Sequence, residues 1–145
     1  MILSAVSACH FVTHTCHMAI RYQPVGVNCI VPQRVTDQSV DERVAVARGN
    51  GSVEIWNAES NWHTERVIPG GDDVSVEAVV WIGDRLFTAG LHSMITEWSV
   101  SQLRVETIID SFGGSVWCMA LNPSATVIAV CIHFYLDVII HFQSE

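Results

Sequence analysis

Residues 52–56 read Ser-Val-Glu-Ile-Trp, and residues 94–98 read Met-Ile-Thr-Glu-Trp. Both runs end in tryptophan, and Trp56 and Trp98 lie 42 residues apart. The runs before them keep this spacing, since 44–49 (Val-Ala-Val-Ala-Arg-Gly) aligns with 86–91 (Leu-Phe-Thr-Ala-Gly-Leu) at the same offset. Residues 128–132 are a third copy of that element. A period of about 40–45 residues is typical of WD-type β-propellers, in which each repeat is a four-stranded blade.

Alternation of apolar and polar residues, bounded by turn residues, predicts where the strands of each repeat lie. Innermost strands are predicted at 27–31, 78–82 and 116–121, and second strands at 43–48, 85–89 and 127–131. Third strands are predicted at 52–56 and 94–98, and outer strands at 64–68 and 105–109. Gly49-Asn50-Gly51 predicts a type I′ hairpin turn, because Asn-Gly tolerates the positive φ angles of that turn.

The predicted fold class is all-β, a partial WD40-type β-propeller of about two and a half four-stranded antiparallel blades. The blades are predicted to occupy 21–131, after an N-terminal segment 1–20 that does not show the strand and turn pattern of a blade. Residues 132–145 form an off-pattern C-terminal segment that matches a third strand only loosely. Because a closed propeller needs about 4–8 blades, we expect a fragment or truncated product of something larger, or a chain completed by blades from elsewhere.

Composition limits the function classes that fit this chain of 145 residues. Half of the residues are hydrophobic and the mean hydropathy is +0.34, which indicates a packed core. The sequence contains seven Lys and Arg and fifteen Asp and Glu, so its net charge is −8. Such a charge disfavours direct binding to nucleic acid, because it repels phosphate. No apolar run reaches the roughly 20 residues of a membrane helix, and the N-terminus makes a poor signal peptide.

The cysteines and histidines predict neither a disulfide framework nor a metal site. Five cysteines are an odd number, and three of them lie in predicted strands, which favours reduced, buried thiols in a cytosolic or nuclear protein. Cys9-His10, His14 and Cys16-His17 form the one metal-like cluster of the sequence, but their spacing matches no common zinc site. We expect no cofactor.

No catalytic constellation is present in the sequence. The acidic residues of 70–73 (Gly-Gly-Asp-Asp) are expected in a solvated turn between blades, and the Gly113-Gly114 pair lacks the Lys and Ser/Thr of a phosphate-binding loop. No serine lies in a Gly-x-Ser-x-Gly elbow. The sequence therefore predicts a binding protein without enzymatic activity and without a small-molecule substrate.

Several stretches resemble one particular family of WD-repeat proteins. Over roughly 21–131, the residues of these stretches and the order in which they follow one another are similar to those of the amino-terminal blades of the cirhin family. The stretches are 27–30, 43–57, 68–71, 77–81, 85–91 and 110–120. The resemblance implies a nucleolar scaffold of the small-subunit processome, acting in transcription and early processing of ribosomal RNA precursors. Its implied partners are other processome proteins, with RNA contacted at most indirectly through the complex.

Departures from the usual WD repeat concern its internal hydrogen bonds. Gly71-Asp72 stands where a typical repeat has Gly-His, and Trp56-Asn57 and Trp98-Ser99 stand where it has Trp-Asp. The buried His–Asp network of typical blades is therefore not encoded, and weaker individual blades are expected.

Arg48, Trp62, His92 and Trp117 are the candidate partner-binding residues. Aromatic residues and arginine dominate interface hot spots, and Trp62 is predicted in a loop and Trp117 at the start of an inner strand. A WD-repeat adaptor of another complex, such as a ubiquitin-ligase substrate receptor, is the alternative function. A hydrolytic propeller would need clustered carboxylates or metal ligands around the central channel, and the sequence offers none.

Overall fold

The computed structural model describes residues 25–33 and 42–132 in full, and the backbone of 136–141. The strands of these residues form three antiparallel sheets, whose orders are β1-β2-β3-β4, β5-β6-β7-β8 and β11-β10-β9. The strand bounds are β1 Val27–Pro32, β2 Arg43–Arg48, β3 Val53–Asn57, β4 His63–Ile68, β5 Ala78–Ile82, β6 Arg85–Ala89, β7 Met94–Ser99, β8 Arg104–Asp110, β9 Val116–Leu121, β10 Val127–Ile132 and β11 Leu136–His141.

The predicted all-β class and four-stranded blades are confirmed, with each predicted strand found within one or two residues of its expected bounds. The third blade contains one more strand than the repeat alone indicated, because the backbone of Leu136–His141 pairs antiparallel with β10. The predicted N-terminal segment 1–20 lies outside the described residues. Within the described part of the chain, no helix is long and apolar enough to cross a membrane.

The hairpin between β2 and β3 differs from the predicted turn type. Gly51 has a φ of 77°, whereas Asn50 is not among the residues with positive φ, so the turn is not type I′. The Gly51 amide donates to the Arg48 carbonyl at 2.9 Å, and the Arg48 amide donates to the Ser52 carbonyl at 2.8 Å. These bonds are typical of a type I turn followed by a left-handed glycine, the arrangement of longer hairpin loops.

The core consists of two layers, one between each pair of neighbouring sheets. Alternate residues of β2 and β3 pack against the second sheet, and the centre of this first layer includes Ile55 and Leu86, both fully buried. The other face of the second sheet contributes Phe87 and Ile95 to the second layer, where they meet Ile128 of the third sheet. A sheet whose two faces are both covered explains why four of the five residues of β5 are buried.

Polar side chains form hydrogen bonds between the first sheet and the second at three positions along β1 and just beyond its end. The Asn28 amide donates to the Val76 carbonyl at 3.1 Å, and the Trp81 indole donates to the Val31 carbonyl at 3.2 Å. At the far end, the amide of the buried Gln33 donates to the Gly83 carbonyl at 2.8 Å. Buried polar groups are costly unless they are hydrogen-bonded, so these contacts also specify how the two sheets align.

The repeated tryptophans make hydrogen bonds inside their own sheets. The Trp56 indole donates to the Glu54 carboxylate at 2.9 Å, and the Trp98 indole donates to the Thr88 hydroxyl at 2.9 Å. Both bonds hold the indole against its own blade. Each tryptophan therefore satisfies its ring N–H locally in a chain that lacks the usual His and Asp positions.

Candidate interaction surface

Turns at one edge of the three sheets contact one another and form a continuous surface, here called the upper edge. It comprises the β2–β3 turn (49–52), the β4–β5 connection (69–77), the β6–β7 turn (90–93) and the β8–β9 turn (111–115). The Leu91 amide donates to the Ser75 hydroxyl at 2.7 Å, and the Ser115 hydroxyl donates to the Leu91 carbonyl at 3.0 Å. These bonds give the upper edge a fixed shape across the blades.

The structure places three of the four candidate partner-binding residues at the upper edge. Arg48 ends β2, His92 lies in the β6–β7 turn, and Trp117 is the second residue of β9. Trp62 lies at the opposite or lower edge, in the turn between β3 and β4. Because strands in a meander alternate direction, successive turns fall at opposite edges, which separates Trp62 from the other three.

Trp117 is exposed because of a β-bulge. In the pairing of β9 with β10, Cys131 lies opposite Cys118 but Ile132 lies opposite Val116, so Trp117 is the extra residue of the bulge. An extra residue of this kind re-aims its side chain, and Trp117 is 48% exposed although it belongs to an inner strand. β1 has a bulge at the equivalent point, at Asn28. The side-chain amide of Asn28 donates its hydrogen bond to the Val76 carbonyl, which precedes the second sheet.

Phe112 is the most exposed large apolar side chain among the described residues, at 88%. It lies in the β8–β9 turn with a φ of 54°, a left-handed backbone conformation that is strained for a bulky residue. Its amide is held by the Asp110 carboxylate at 2.8 Å, and the adjacent Ser111 hydroxyl donates to the Gly114 carbonyl at 2.8 Å. A turn fastened in this way presents the ring rigidly to solvent.

The candidate residues from the sequence did not include Phe112. An available signal was the position of an aromatic residue inside the turn sequence Asp-Ser-Phe-Gly-Gly-Ser at 110–115, where no strand face can cover it. Leu91 and Met94, which are 45% and 37% exposed, also lie at the upper edge. Together with Trp117, these side chains form the apolar surface of the upper edge.

Charges around this apolar surface are mainly acidic. Arg48 is engaged within its own sheet, since its guanidinium donates to Glu54 at 2.7 Å. His92 is exposed. The acidic side chains at this edge are Asp72, Asp73, Glu77 and Asp110.

The lower edge carries Trp62 and a charged groove. Trp62 is 58% exposed and, like Phe112, has a positive φ, of 56°. The groove has a volume of about 650 Å³ and lies between the first two sheets. Arg43 bonds both oxygens of Glu65 there, at 2.9 and 3.1 Å, and lies 3.8 Å from Asp84 of the second sheet. The ion pair of Arg43 with Asp84 connects two blades.

Metal-binding geometry is absent from the part of the chain that the structure describes, where no group of three or more His, Cys, Asp or Glu is placed to hold an ion. The sequence cluster from Cys9 to His17 lies outside the described residues. The acidic residues expected in a solvated turn, Asp72 and Asp73, are exposed on the β4–β5 connection.

Four-stranded antiparallel sheets that repeat every 42 residues and pack face to face are blades of a WD-type β-propeller. Solved propellers share this arrangement. The β-propeller domain of Cps50 (Swd1) from Myceliophteria thermophila matches 85% of this chain and 38% of its own, with a TM-score of 0.64 and 17% identity. The RRP9 WD40 repeats match 77% of this chain and 34% of their own, with a TM-score of 0.59 and 19% identity. No family model matches the sequence.

Sequence comparison finds relatives of one kind. The chain is 38% identical over 110 residues to the human U3 small nucleolar RNA-associated protein 4 homolog, and 37% identical over 95 residues to U3 small nucleolar RNA-associated protein 4 of Saccharomyces cerevisiae. These alignments cover 75% and 62% of this chain but 15% and 12% of the relatives. The chain is a homologue of these proteins, which supports the resemblance to the cirhin family.

Proposed function

We propose that this chain is a WD-repeat interaction scaffold that acts, through protein contacts in the small-subunit processome, in ribosome biogenesis and pre-rRNA transcription and processing. The observation that carries the proposal is the 38% identity to the human U3 small nucleolar RNA-associated protein 4 homolog over three quarters of the chain. The blade fold agrees with it, because propellers bind partners through rigid edges formed by turns. A nucleolar location and binding without catalysis are parts of the same proposal.

Co-purification tests the proposed function. The tagged chain is expressed in cells and captured from nuclear extract, and the captured proteins are identified by mass spectrometry. Small-subunit processome proteins should be enriched over a tag-only control. The proposal fails if the tagged full-length homologue captures these proteins from the same extract and this chain captures none of them.

The upper edge is the proposed partner surface, with Phe112 and Trp117 as its anchors and His92 and Arg48 beside them. Large aromatic side chains on rigid turns lose little entropy on binding, which is why they dominate interface energies. Trp62 is proposed as a separate contact at the lower edge. The positive φ angles of Phe112 and Trp62 support this assignment, since strain of this kind is concentrated at functional sites.

Alanine substitution of Phe112 and Trp117 together should weaken partner capture about tenfold or more, because hot-spot truncations cost about 2 kcal/mol. Quantitative capture from the same extract measures the effect. Trp62→Ala, at the other edge, is the matched control and should leave upper-edge partners bound. Both variants should keep the wild-type melting temperature, since all three side chains are about half exposed or more. Undiminished capture by the double variant would exclude the upper edge as the docking surface.

RNA contact is proposed to be indirect. The chain has a net charge of −8, and the acidic side chains of the upper edge would repel phosphate. In fluorescence anisotropy at low salt, the purified chain should show no binding to a labelled structured RNA at concentrations where a basic control protein binds. Tight binding that weakens steeply with added salt would contradict this expectation.

A further inference from the structure

Two cysteines lie directly opposite each other in the third sheet. Cys118 of β9 and Cys131 of β10 are partners in the antiparallel ladder. Side chains of directly opposite residues project from the same face of a sheet, with Cβ atoms about 4.5–5.5 Å apart. The ladder therefore places these two thiols side by side, although 13 residue positions separate them along the chain.

Both thiols project from the face of the third sheet that does not pack against the second sheet. The packed face is formed by Val116, Ile128 and Val130, which are buried in the second core layer. Strand residues alternate between faces, so Cys131, which follows the buried Val130, belongs to the opposite face. Cys118 shares that face as the ladder partner of Cys131, because the bulge at Trp117 shifts the alternation after Val116. On this face Cys118 is exposed and Cys131 is half-buried. The sequence predicted buried thiols, whereas these two are exposed or half-buried because they lie on the outward face of the sheet.

The geometry also suits a covalent bond between the two residues. Directly opposite Cα atoms in an antiparallel pair lie about 4.5–5.5 Å apart, which falls within the range of about 4.4–6.8 Å for disulfides. The neighbouring pair on this face is Ala120 and Ala129, so the side chains next to the thiols in that direction along the ladder are small. Desolvation, and then the hydrogen bond with the Cys131 thiol, raise the pKa of Cys118.

We propose that Cys118 and Cys131 form a redox-active dithiol that hydrogen peroxide oxidises to a cross-strand disulfide. The first thiol loses its proton, its thiolate attacks a peroxide oxygen and the O–O bond breaks. A sulfenic acid forms, and the departing hydroxide takes up a proton and leaves as water. The second thiol attacks the sulfenic sulfur, the S–S bond forms, and a second water leaves. The two sulfurs together lose two electrons to one peroxide, and dithiothreitol reverses the reaction by thiol–disulfide exchange.

Peptide mapping of the oxidised wild-type chain tests the proposal directly. The reduced chain is treated with equimolar hydrogen peroxide, the remaining thiols are alkylated, and digested peptides are examined by mass spectrometry. The expected product is a cross-linked pair of peptides containing Cys118 and Cys131, which is lost after dithiothreitol treatment. Cys118→Ser and Cys131→Ser should each abolish this cross-link, whereas Cys29→Ser, on β1, should leave it unchanged.

Phenylarsine oxide provides a second measurement that requires no variant and no oxidation. It condenses with two adjacent thiols, forming two As–S bonds as its oxygen leaves as water, and the adduct should map to Cys118 and Cys131. The proposal is overturned if the dominant peroxide product is a bridge to Cys29, Cys9 or Cys16, a bridge between chains, or unbridged sulfinic acid, or if the arsenical maps elsewhere.

Discussion

Phe87→Ala should lower the free energy of unfolding by about 4 kcal/mol and the melting temperature by about 12 °C. Phe87 is fully buried and lies at the centre of the second core layer, between the second and third sheets. Removal of its ring forfeits the hydrophobic transfer energy and leaves a cavity that two rigid sheets cannot close by a small shift. Thermal unfolding followed by circular dichroism measures the change.

Phe112→Ala is the matched control for this prediction, because it makes the same chemical change at a side chain that is 88% exposed. Its free energy of unfolding should remain within about 0.5 kcal/mol of the wild-type value. Equal losses in the two variants would mean that the third sheet does not pack on the second through Phe87. The pair of variants therefore tests the second core layer itself.

Gly51→Ala should destabilise the chain by about 3 kcal/mol, from backbone strain and a steric clash together. Gly51 has a φ of 77°, and a Cβ built on it would lie 2.1 Å from the Val74 carbonyl oxygen. That oxygen belongs to the β4–β5 connection, which runs closely past the β2–β3 turn. A backbone atom cannot rotate away as a flexible side chain would, so the upper edge would have to shift. Chemical denaturation measures the loss.

Gly83→Ala separates the two causes. Gly83 has a φ of 57°, but a Cβ there would meet no atom within 4 Å. This variant should lose about 1 kcal/mol from backbone strain alone. If Gly51→Ala were no more destabilising than Gly83→Ala, the close approach of the β4–β5 connection to the β2–β3 turn would be refuted.

The strands and the repeat could be predicted from the sequence because their signals are local. Alternation such as that of Val53 and Ile55 follows from the two-residue period of a strand, and turns such as Gly49-Asn50-Gly51 mark strand ends. The order of the first two sheets then follows, since short turns join antiparallel neighbours. The exact turn type did not follow, because a type I turn with a left-handed glycine and a type I′ turn use the same residues.

The candidate site was predicted less completely than the fold. Exposure of Trp62 agrees with its predicted loop position, and Trp117 lies at the start of an inner strand as expected. The separation of Trp62 from the other candidates depends on which edge each turn joins. Phe112 was missed because composition alone does not show that its turn is fastened by Asp110 and Ser111.

The sequence by itself determined the class of this protein, its 42-residue period and the strands that a blade requires, because hydrophobic alternation and turn chemistry act between near neighbours. Only the tertiary structure decided which side chains share a surface. The bulge at Trp117 and the pairing of Cys118 with Cys131 depend on the register between β9 and β10, and register is set by how the third sheet packs its apolar face on the second. Long-range packing of this kind leaves no local pattern in the sequence.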